Sequence, residues 1–129
     1  MEGAHGGVWD WDVADGIVYY SPRWKALLGY DDHEVGDTPG EWFRRVHPAD
    51  LERMRAAIAD HLEGDSPYFE DEHRIRRKDG TWTWVLARGR AIREEGLASR
   101  MAGSIVDVTQ RKLVEERLLR AAFRDALTG

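Results

Sequence analysis

Three long segments between residues 68 and 108 alternate apolar and polar side chains, and this feature restricts the fold more than any other. Alternation with a period of two is typical of strands that bury one face. The Asp79-Gly80 and Glu95-Gly96 dipeptides separate the segments and favour tight hairpin turns. Residues 68–77, 81–93 and 98–108 are therefore predicted to form an antiparallel meander.

Each strand of this predicted meander has two distinct faces. In the first strand, Phe69, Asp71, His73 and Ile75 share one face, whereas the charged side chains between them lie on the other. In the second and third strands, the alternation groups Trp82, Trp84, Leu86, Ala102, Ser104, Val106 and Val108. Because His73 shares its face with Phe69 and Ile75, we expect that face of the first strand to reach the interior.

The N-terminal region adds two shorter strands. A first segment alternates tryptophan with aspartate, which places Trp9 and Trp11 on one face. The Asp15-Gly16 turn then leads into the β-prone residues 17–20. The candidates for exposed association surfaces are Trp9, Trp11 and Trp82, with packing against the short helices and the N-terminal segment as the alternative. Five strands around a helical middle predict an α+β fold, an antiparallel sheet covered on one face by short helices and one longer helix.

Capping signals place these helices between the second and third strands. Ser21-Pro22 and Thr38-Pro39 each combine an N-cap residue with a proline at the first helical position. His47-Pro48 opens the longest internal helix, and we expect His47 to cap or pack against its first turn. The apolar stripe of that helix, at spacings of three and four residues, consists of Leu51, Met54, Ile58 and Leu62.

Composition excludes several kinds of function. The chain has 129 residues, which suits one domain, and its net charge of −5 argues against a broad nucleic-acid surface. Because there is no cysteine, disulfides, thiolate chemistry and a cysteinyl flavin are excluded. No apolar run approaches about 18 residues, so no membrane span is predicted. We expect a cytoplasmic location, with which a membrane anchor elsewhere in a longer parent is compatible.

From Gln110 onward the pattern becomes helical and predicts an exit helix. Its two apolar seams contain Val114, Leu118 and Ala121 in one case and Leu119, Ala122 and Ala126 in the other. A single helix of this length is marginal in water and needs a partner. We predict a homodimer that forms through this helix, through the exposed sheet, or through both.

The order of the elements resembles a PAS domain of the PAS_3-like type with a PAC continuation. The segments that carry the resemblance are residues 9–11 (WDW), 20–22 (YSP), 28–30 (LGY), 46–50 (VHPAD), 74–85 (RIRRKDGTWTWV) and 103–109 (GSIVDVT). The resemblance implies a PAS fold over residues 7–109 and a signalling helix over residues 110–126.

Residues 125–129 (DALTG) resemble the D-x-L-T-G start of a GGDEF domain, the diguanylate cyclase module. The catalytic GGDEF segment is absent from this chain, so the chain itself is not expected to make cyclic di-GMP. The activity of a longer parent protein stays open.

The PAS resemblance implies a bacterial sensory module without a reaction of its own. Such a module relays a change induced by a ligand or partner through its exit helix to an output domain, here a diguanylate cyclase. The residues expected to relay the change are Asp107, Thr109, Val114, Leu118 and Leu119. A constitutive dimerisation module without ligand and the input domain of a histidine kinase are the alternatives.

PAS domains bind small molecules between the inner face of the sheet and the long helix. By resemblance and alternation, the lining of such a pocket is expected to comprise Met54, Ile58, Phe69, His73, Ile75, Trp84, Leu86, Ser104 and Val106. The alternative is that these side chains fill an ordinary core, because apolar periodicity does not distinguish a core from a cavity.

No cofactor is required by the sequence, and its identity is unknown. His47, His61 and His73 are far apart, and none pairs with a second ligand at helical spacing, so no metal signature is present. The resemblance leaves haem as an alternative, with His61 or His73 as the axial ligand. The competing interpretations are a solvated or helix-end position for His61 and a hydrogen-bonded core position for His73.

Overall fold

The structure, a computed structural model, describes the backbone of residues 6–128 and the side chains of residues 6–123. The strands in this part of the chain are β1 (Gly6–Asp12), β2 (Ile17–Tyr20), β3 (Phe69–Arg76), β4 (Trp82–Glu94) and β5 (Leu97–Asp107). The helices are α1 (Pro22–Leu27), α2 (Pro39–Phe43), α3 (Pro48–Leu62) and α4 (Thr109–Thr128), with a 3-10 turn at Asp32–Glu34.

The five strands form one sheet in the order β2-β1-β5-β4-β3, and every neighbouring pair is antiparallel. Helices α1, α2 and α3 cover its inner face, which confirms the predicted α+β fold. The two-residue connection between β4 and β5 has positive φ angles at both Glu95 (52°) and Gly96 (82°). Positive φ at both central residues is typical of the hairpin turn that matches strand twist, so this turn prediction is confirmed.

Local capping explains where the helices begin. The Ser21 hydroxyl accepts the Trp24 backbone N–H, and Pro22 occupies the first helical position of α1. The His47 Nδ1 atom accepts the Ala49 backbone N–H at 3.0 Å, which confirms His47 as the N-cap of α3.

Two glycines allow close packing at the centre of the sheet, Gly89 beneath the Trp9 ring and Gly103 against the β4 backbone. Gly89 and Gly103 are paired across β4 and β5, and Trp9 is paired with Gly103. A Cβ atom at Gly89 would lie 2.5 Å from the Trp9 ring, and one at Gly103 would lie 1.8 Å from the Arg88 carbonyl oxygen. The Trp9 indole N–H donates to the Ser104 carbonyl at 3.1 Å, which fixes the ring in this position.

Aromatic rings fill the interior above this position. Trp42 packs edge-on against Trp9 with ring centroids 5.1 Å apart, and Trp24 packs against Trp42 at 6.1 Å. Trp9 is only 1% exposed, so the expectation that it lies on an association surface is wrong. Trp11 is half-buried against Phe43, and Trp82 remains 42% exposed.

The free edge of β3 is covered by the segment that leads into α3. The His47 N–H donates to the Arg74 carbonyl, and the Arg76 N–H donates to the Arg45 carbonyl, both at 2.8 Å. The Arg74 N–H donates to the Asp50 carboxylate at 2.9 Å. Backbone groups that an edge strand leaves unpaired are thereby satisfied, which blocks pairing with another strand.

Helix α4 packs on the sheet only near its start. Every described side chain from residue 116 to residue 123 is exposed, including Leu118 (65%), Leu119 (71%) and Phe123 (67%). Among residues 6–128, no helix combines the length and the apolar composition that a membrane span requires.

Replacing Gly103 by alanine is expected to lower the free energy of unfolding by about 3 kcal/mol, because the new methyl group would collide with the Arg88 carbonyl. Urea unfolding followed by tryptophan fluorescence measures this change. Gly40→Ala is the matched control, because a Cβ atom there meets only the Thr38 hydroxyl at 3.7 Å. Equal stability of the two variants would contradict this account of the sheet centre.

Candidate functional site

A chain of polar contacts begins at a histidine in the core. His73 on β3 is 0% exposed, and its Nε2 atom accepts the Trp42 indole N–H at 3.1 Å. The proton of this neutral ring therefore resides on Nδ1, which donates to the Asp71 carboxylate at 3.0 Å. Both ring nitrogens are satisfied, so the interpretation of His73 as a hydrogen-bonded core residue is confirmed.

Asp71 connects the buried His73 to Arg53 at the rim of the sheet. The Arg53 guanidinium donates to both carboxylate oxygens of Asp71, at 3.0 and 3.3 Å. Burial alone would raise the pKa of Asp71, but the hydrogen bonds from His73 and Arg53 outweigh it and hold the pKa below its ordinary value. Arg53 also donates to the Glu72 carbonyl at 2.6 Å, so this α3 side chain wraps around the edge of β3.

Asp50 makes the second connection between α3 and β3. Its carboxylate accepts the Arg74 backbone N–H and both Nε and Nη2 of the Arg74 guanidinium, at 2.8 to 2.9 Å. These hydrogen bonds from Arg74 hold the pKa of Asp50 far below its ordinary value although the side chain is buried. The first turn of α3 is therefore fixed to the middle of β3.

Trp84, on the outer face of the sheet, connects Arg74 of β3 to Lys112 of α4. The Arg74 guanidinium lies over the Trp84 ring at 5.1 Å, and the Lys112 ammonium lies over the same ring at 4.6 Å. Lys112 also pairs with the Glu72 carboxylate at 3.3 Å, and Arg111 pairs with its other oxygen. The hydrogen bond from Arg111 lowers the pKa of Glu72, so this carboxylate is anionic at neutral pH.

The junction between β5 and α4 is fixed by two threonines and one aspartate. The Thr109 hydroxyl lies 2.7 Å from the Thr83 hydroxyl and accepts the Trp84 backbone N–H at 3.0 Å. The Asp107 carboxylate accepts the Thr109 backbone N–H at 2.8 Å and the Thr83 hydroxyl at 3.1 Å. Two of the expected relay residues thus hold the start of α4 on β4.

The contacts of Asp50, Arg53, Asp71, Glu72, His73, Arg74, Trp84, Asp107, Thr109, Arg111 and Lys112 are called the polar cluster below. The remaining expected relay residues lie outside it. Val114, Leu118 and Leu119 are exposed on α4, at 49%, 65% and 71%. Their role in relay stays a prediction, as does the role of Asp107 and Thr109.

The placement of four expected pocket residues in the interior is wrong. The register puts His73 opposite Val85 and Ala87 opposite Ile105, and these four side chains are at most 1% exposed, so they form the inner face. Adjacent side chains alternate between faces. The residues that consequently lie on the outer face are Trp84, Leu86, Ser104 and Val106.

The other five expected pocket residues are in the core. Met54, Ile58, Phe69, His73 and Ile75 are each at most 5% exposed and pack among the aromatic rings that fill the interior. Their role in ligand binding stays a prediction. A cleft of about 170 Å³ lies at the rim between β1, α2 and α3, and its walls are Trp11, Phe43, Arg55, Ile58, Ala59 and Leu62.

Neither candidate histidine fits an axial haem ligand. The His61 Nδ1 atom hydrogen-bonds to the Ser66 carbonyl at 2.9 Å, and its Nε2 accepts the Ala91 N–H at 2.8 Å. Iron ligation requires a free ring nitrogen, and both nitrogens of His61 and of His73 are engaged. His61 lies in the last turn of α3, which confirms the helix-end interpretation, and at 3% exposure it is not solvated.

Several members of this polar cluster were not identified as site residues from the sequence. Asp71 gave a signal, because it is a carboxylate on the predicted interior face of β3 and needs a partner there. Arg53, Asp50 and Lys112 gave none, because charged residues on helices are usually solvated.

Comparison with known proteins places this geometry in a family. The profile of the PAS fold family matches residues 17–105. The probable diguanylate cyclase DgcE of Escherichia coli K12 is 29% identical over 122 residues, and the match covers 95% of this chain. The methyl sulfide methyltransferase-associated sensor of Methanosarcina acetivorans is 36% identical over 107 residues, covering 76% of the chain. The matched region spans 11% of the length of each relative.

Solved structures agree in fold. The N-terminal domain of a diguanylate cyclase with PAS/PAC sensor from Marinobacter aquaeolei superposes with a TM-score of 0.74 at 21% identity, covering 83% of this chain and 98% of that one. A sensory box histidine kinase/response regulator from Burkholderia thailandensis superposes with a TM-score of 0.81 at 39% identity, covering 95% of this chain and 93% of that one. The chain belongs to the PAS fold family and is a PAS sensor domain.

Proposed function

We propose that this PAS domain is an input module that passes a change at α3 through β3 to α4. The observation that carries the proposal is the continuous polar connection between these three elements. Asp50 and Arg53 hold α3 on β3, and Glu72 and Trp84 hold the start of α4. In this proposal the chain performs no reaction of its own.

In the proposed mechanism the domain has two conformations that differ in these contacts, and an input shifts the equilibrium between them. A displacement of α3 moves Asp50 and Arg53, and their hydrogen bonds transmit the displacement to Arg74 and to the Glu72 backbone. Arg74 and Lys112 both contact the Trp84 ring, so a displacement of β3 changes how the start of α4 packs on the sheet. The Asp107 and Thr109 junction then acts as the pivot of the helix.

A homodimer through α4 is part of the proposal. Leu118 and Leu119 point from different sides of the helix, 100° apart, and both are well exposed. Two exposed apolar seams allow two packings of paired helices, which is the bistable element that a relay needs.

The output domain in a longer parent is proposed to be a diguanylate cyclase, giving the protein a role in bacterial cyclic di-GMP signalling. The D-x-L-T-G-like residues 125–129 and the similarity to DgcE support this assignment. The side chains of residues 125–129 lie outside the described part of the structure. The similarity to a histidine kinase/response regulator supports the alternative output, and a cytoplasmic location completes the proposal.

A constitutive dimerisation module without ligand is the second candidate function. The observation that favours it is the filled interior, in which Trp9, Trp24 and Trp42 occupy the space between sheet and helices. In that case the two α4 helices of the dimer would pack against each other in one fixed arrangement.

Glu72→Gln tests the connection to α4. The loss of charge weakens the pairs with Arg111 and Lys112, so amide hydrogen exchange at residues 110–115 is expected to become roughly three- to tenfold faster. The control is Glu116→Gln, which removes only an exposed contact to Arg120 within the helix. Unchanged exchange in Glu72→Gln would refute the proposed connection.

Asp50→Asn tests the connection between α3 and β3. Because the folded-state pKa of Asp50 lies below its unfolded value of about 3.9, its stabilisation is present above that value and is lost as the pH falls. The variant is expected to be about 3 kcal/mol less stable than the parent at pH 7, and the difference is expected to narrow below about pH 4.

Urea unfolding at pH 7 and at pH 3 measures this difference, with the exposed Asp60→Asn variant as the control. A destabilisation by Asp50→Asn that is the same at both pH values would show that the charge of Asp50 is not responsible.

Replacing both Leu118 and Leu119 by serine is expected to convert a dimer into a monomer, because the exposed seams lose their apolar side chains. Sedimentation velocity measures the change, and serine at exposed helix positions leaves the domain folded. A sedimentation profile identical to that of the parent would exclude this helix as the dimer contact.

A further inference from the structure

His61 connects the last turn of α3 to the sheet and to the loop before β3. Its Nε2 atom accepts the Ala91 backbone N–H of β4 at 2.8 Å. Because that lone pair is used, the proton of the neutral ring is on Nδ1, which donates to the Ser66 carbonyl at 2.9 Å. The side chain is buried, so these contacts hold the end of the helix away from solvent.

His47 stabilises the other end of the same helix in a similar way. As the N-cap of α3, its Nδ1 atom accepts the Ala49 backbone N–H at 3.0 Å. The ring also packs against Trp82 of β4, with ring centroids 4.7 Å apart. Both ends of α3 therefore depend on an imidazole nitrogen that accepts an N–H, a role that only an unprotonated nitrogen can fill.

Protonation of either ring removes this acceptor. An imidazolium carries an N–H on each ring nitrogen and has no lone pair left to accept a hydrogen bond. At His61 the new N–H would point at the Ala91 N–H. At His47 it would point at the Ala49 N–H and would also add a positive charge at the positive end of the helix dipole. A ring that binds a proton must therefore give up its contact with α3 or with the sheet.

The charged groups at the His61 end of α3 do not offset this loss. The Arg93 guanidinium of β4 donates to the carbonyls of His61 and Leu62, at 2.7 and 3.1 Å. A cation thus already occupies the end of the helix that would otherwise attract an imidazolium. Exposed carboxylates at this end, whose charges are screened by water, are Asp60, Glu63 and Asp65.

At the His47 end, the nearby charges are paired with each other. The Asp50 N–H donates to the His47 carbonyl, and the His47 N–H donates to the Arg74 carbonyl. The Asp50 carboxylate is bound by the guanidinium groups of Arg74 and Arg53. Among the described residues, neither end of α3 therefore offers an unpaired buried carboxylate that would stabilise an imidazolium in place.

We propose that a fall in pH is an input to this domain, in which protonation of His47 and His61 releases both ends of α3 from these contacts. An imidazole in water takes up a proton at about pH 6.5, so the release occurs in mildly acidic conditions. The docked conformation of α3 binds fewer protons at these rings than the released one, so the docked conformation loses stability as the pH falls. This input rests on the proposed relay function, because α3 carries Asp50 and Arg53, which connect it to β3.

Two substitutions keep the acceptors and remove the titration. His47→Asn places a carboxamide oxygen at the N-cap, where asparagine is among the favoured residues. His61→Gln places a carboxamide oxygen close to the position of Nε2, where it can accept the Ala91 N–H. His33→Gln is the matched control, because it removes an exposed imidazole from the 3-10 turn.

The measurement is amide hydrogen exchange of Ala49 and Ala91 at about pH 7.5 and about pH 5.5, the range over which imidazole titrates, corrected for the intrinsic pH dependence of exchange. If only the released conformation binds a proton, at about pH 6.5, the protection of each amide falls about tenfold over this range. The parent and His33→Gln are expected to show this loss. The double variant His47→Asn/His61→Gln is expected to keep its protection.

The proposal is overturned if the parent keeps its full protection at Ala91 at the lower pH, a result that does not depend on the folding of any variant. It is also overturned if the double variant loses protection as strongly as the parent. Exchange at residues 110–115 in the same samples tests the relay separately. Release of α3 without faster exchange at these residues would support the proton input and refute its transmission to α4.

Discussion

The carboxylate of Asp50 joins the helical layer to the edge of the sheet, and the rest of the polar arrangement depends on this contact. It accepts the Arg74 backbone N–H, which an edge strand would otherwise leave unpaired, and it binds the Arg74 guanidinium. The same contact fixes Arg74 over Trp84, the surface on which α4 begins. A single side chain therefore pairs one N–H of the sheet edge and also connects α3 with the exit helix.

The filled interior explains why this polar connection runs around β3 instead of through the sheet. Trp9 lies on Gly89 of β4, and Trp42 packs directly against it. Charged groups are costly in such surroundings unless they are paired. His73 and Asp71 meet this condition by contacting each other, Trp42 and the half-exposed Arg53. The rim is where a charge can be both paired and partly hydrated.

The candidate site shows which features the local sequence pattern predicts and which it does not. The period of two correctly separated the two faces of β4, but it did not indicate which face is interior. Both faces carry apolar side chains, with Trp84 and Leu86 on one face and Val85 and Ala87 on the other. Trp84 is instead covered by two cations, Arg74 and Lys112, from β3 and α4. Their convergence is set by pairing across the sheet, which no single segment encodes.

The sequence by itself determined the strands, the hairpin turns, the helix caps and the α+β class, because periodicity and turn residues act within a few positions. It also placed His73 on an interior face and His47 at a helix start. Only the tertiary structure decided which faces of β4 and β5 are buried, how tryptophans fill the interior, and that Arg53 meets Asp71 across 18 residues. The physical reason is that these features depend on strand register and on contacts between distant residues, which local propensity does not specify.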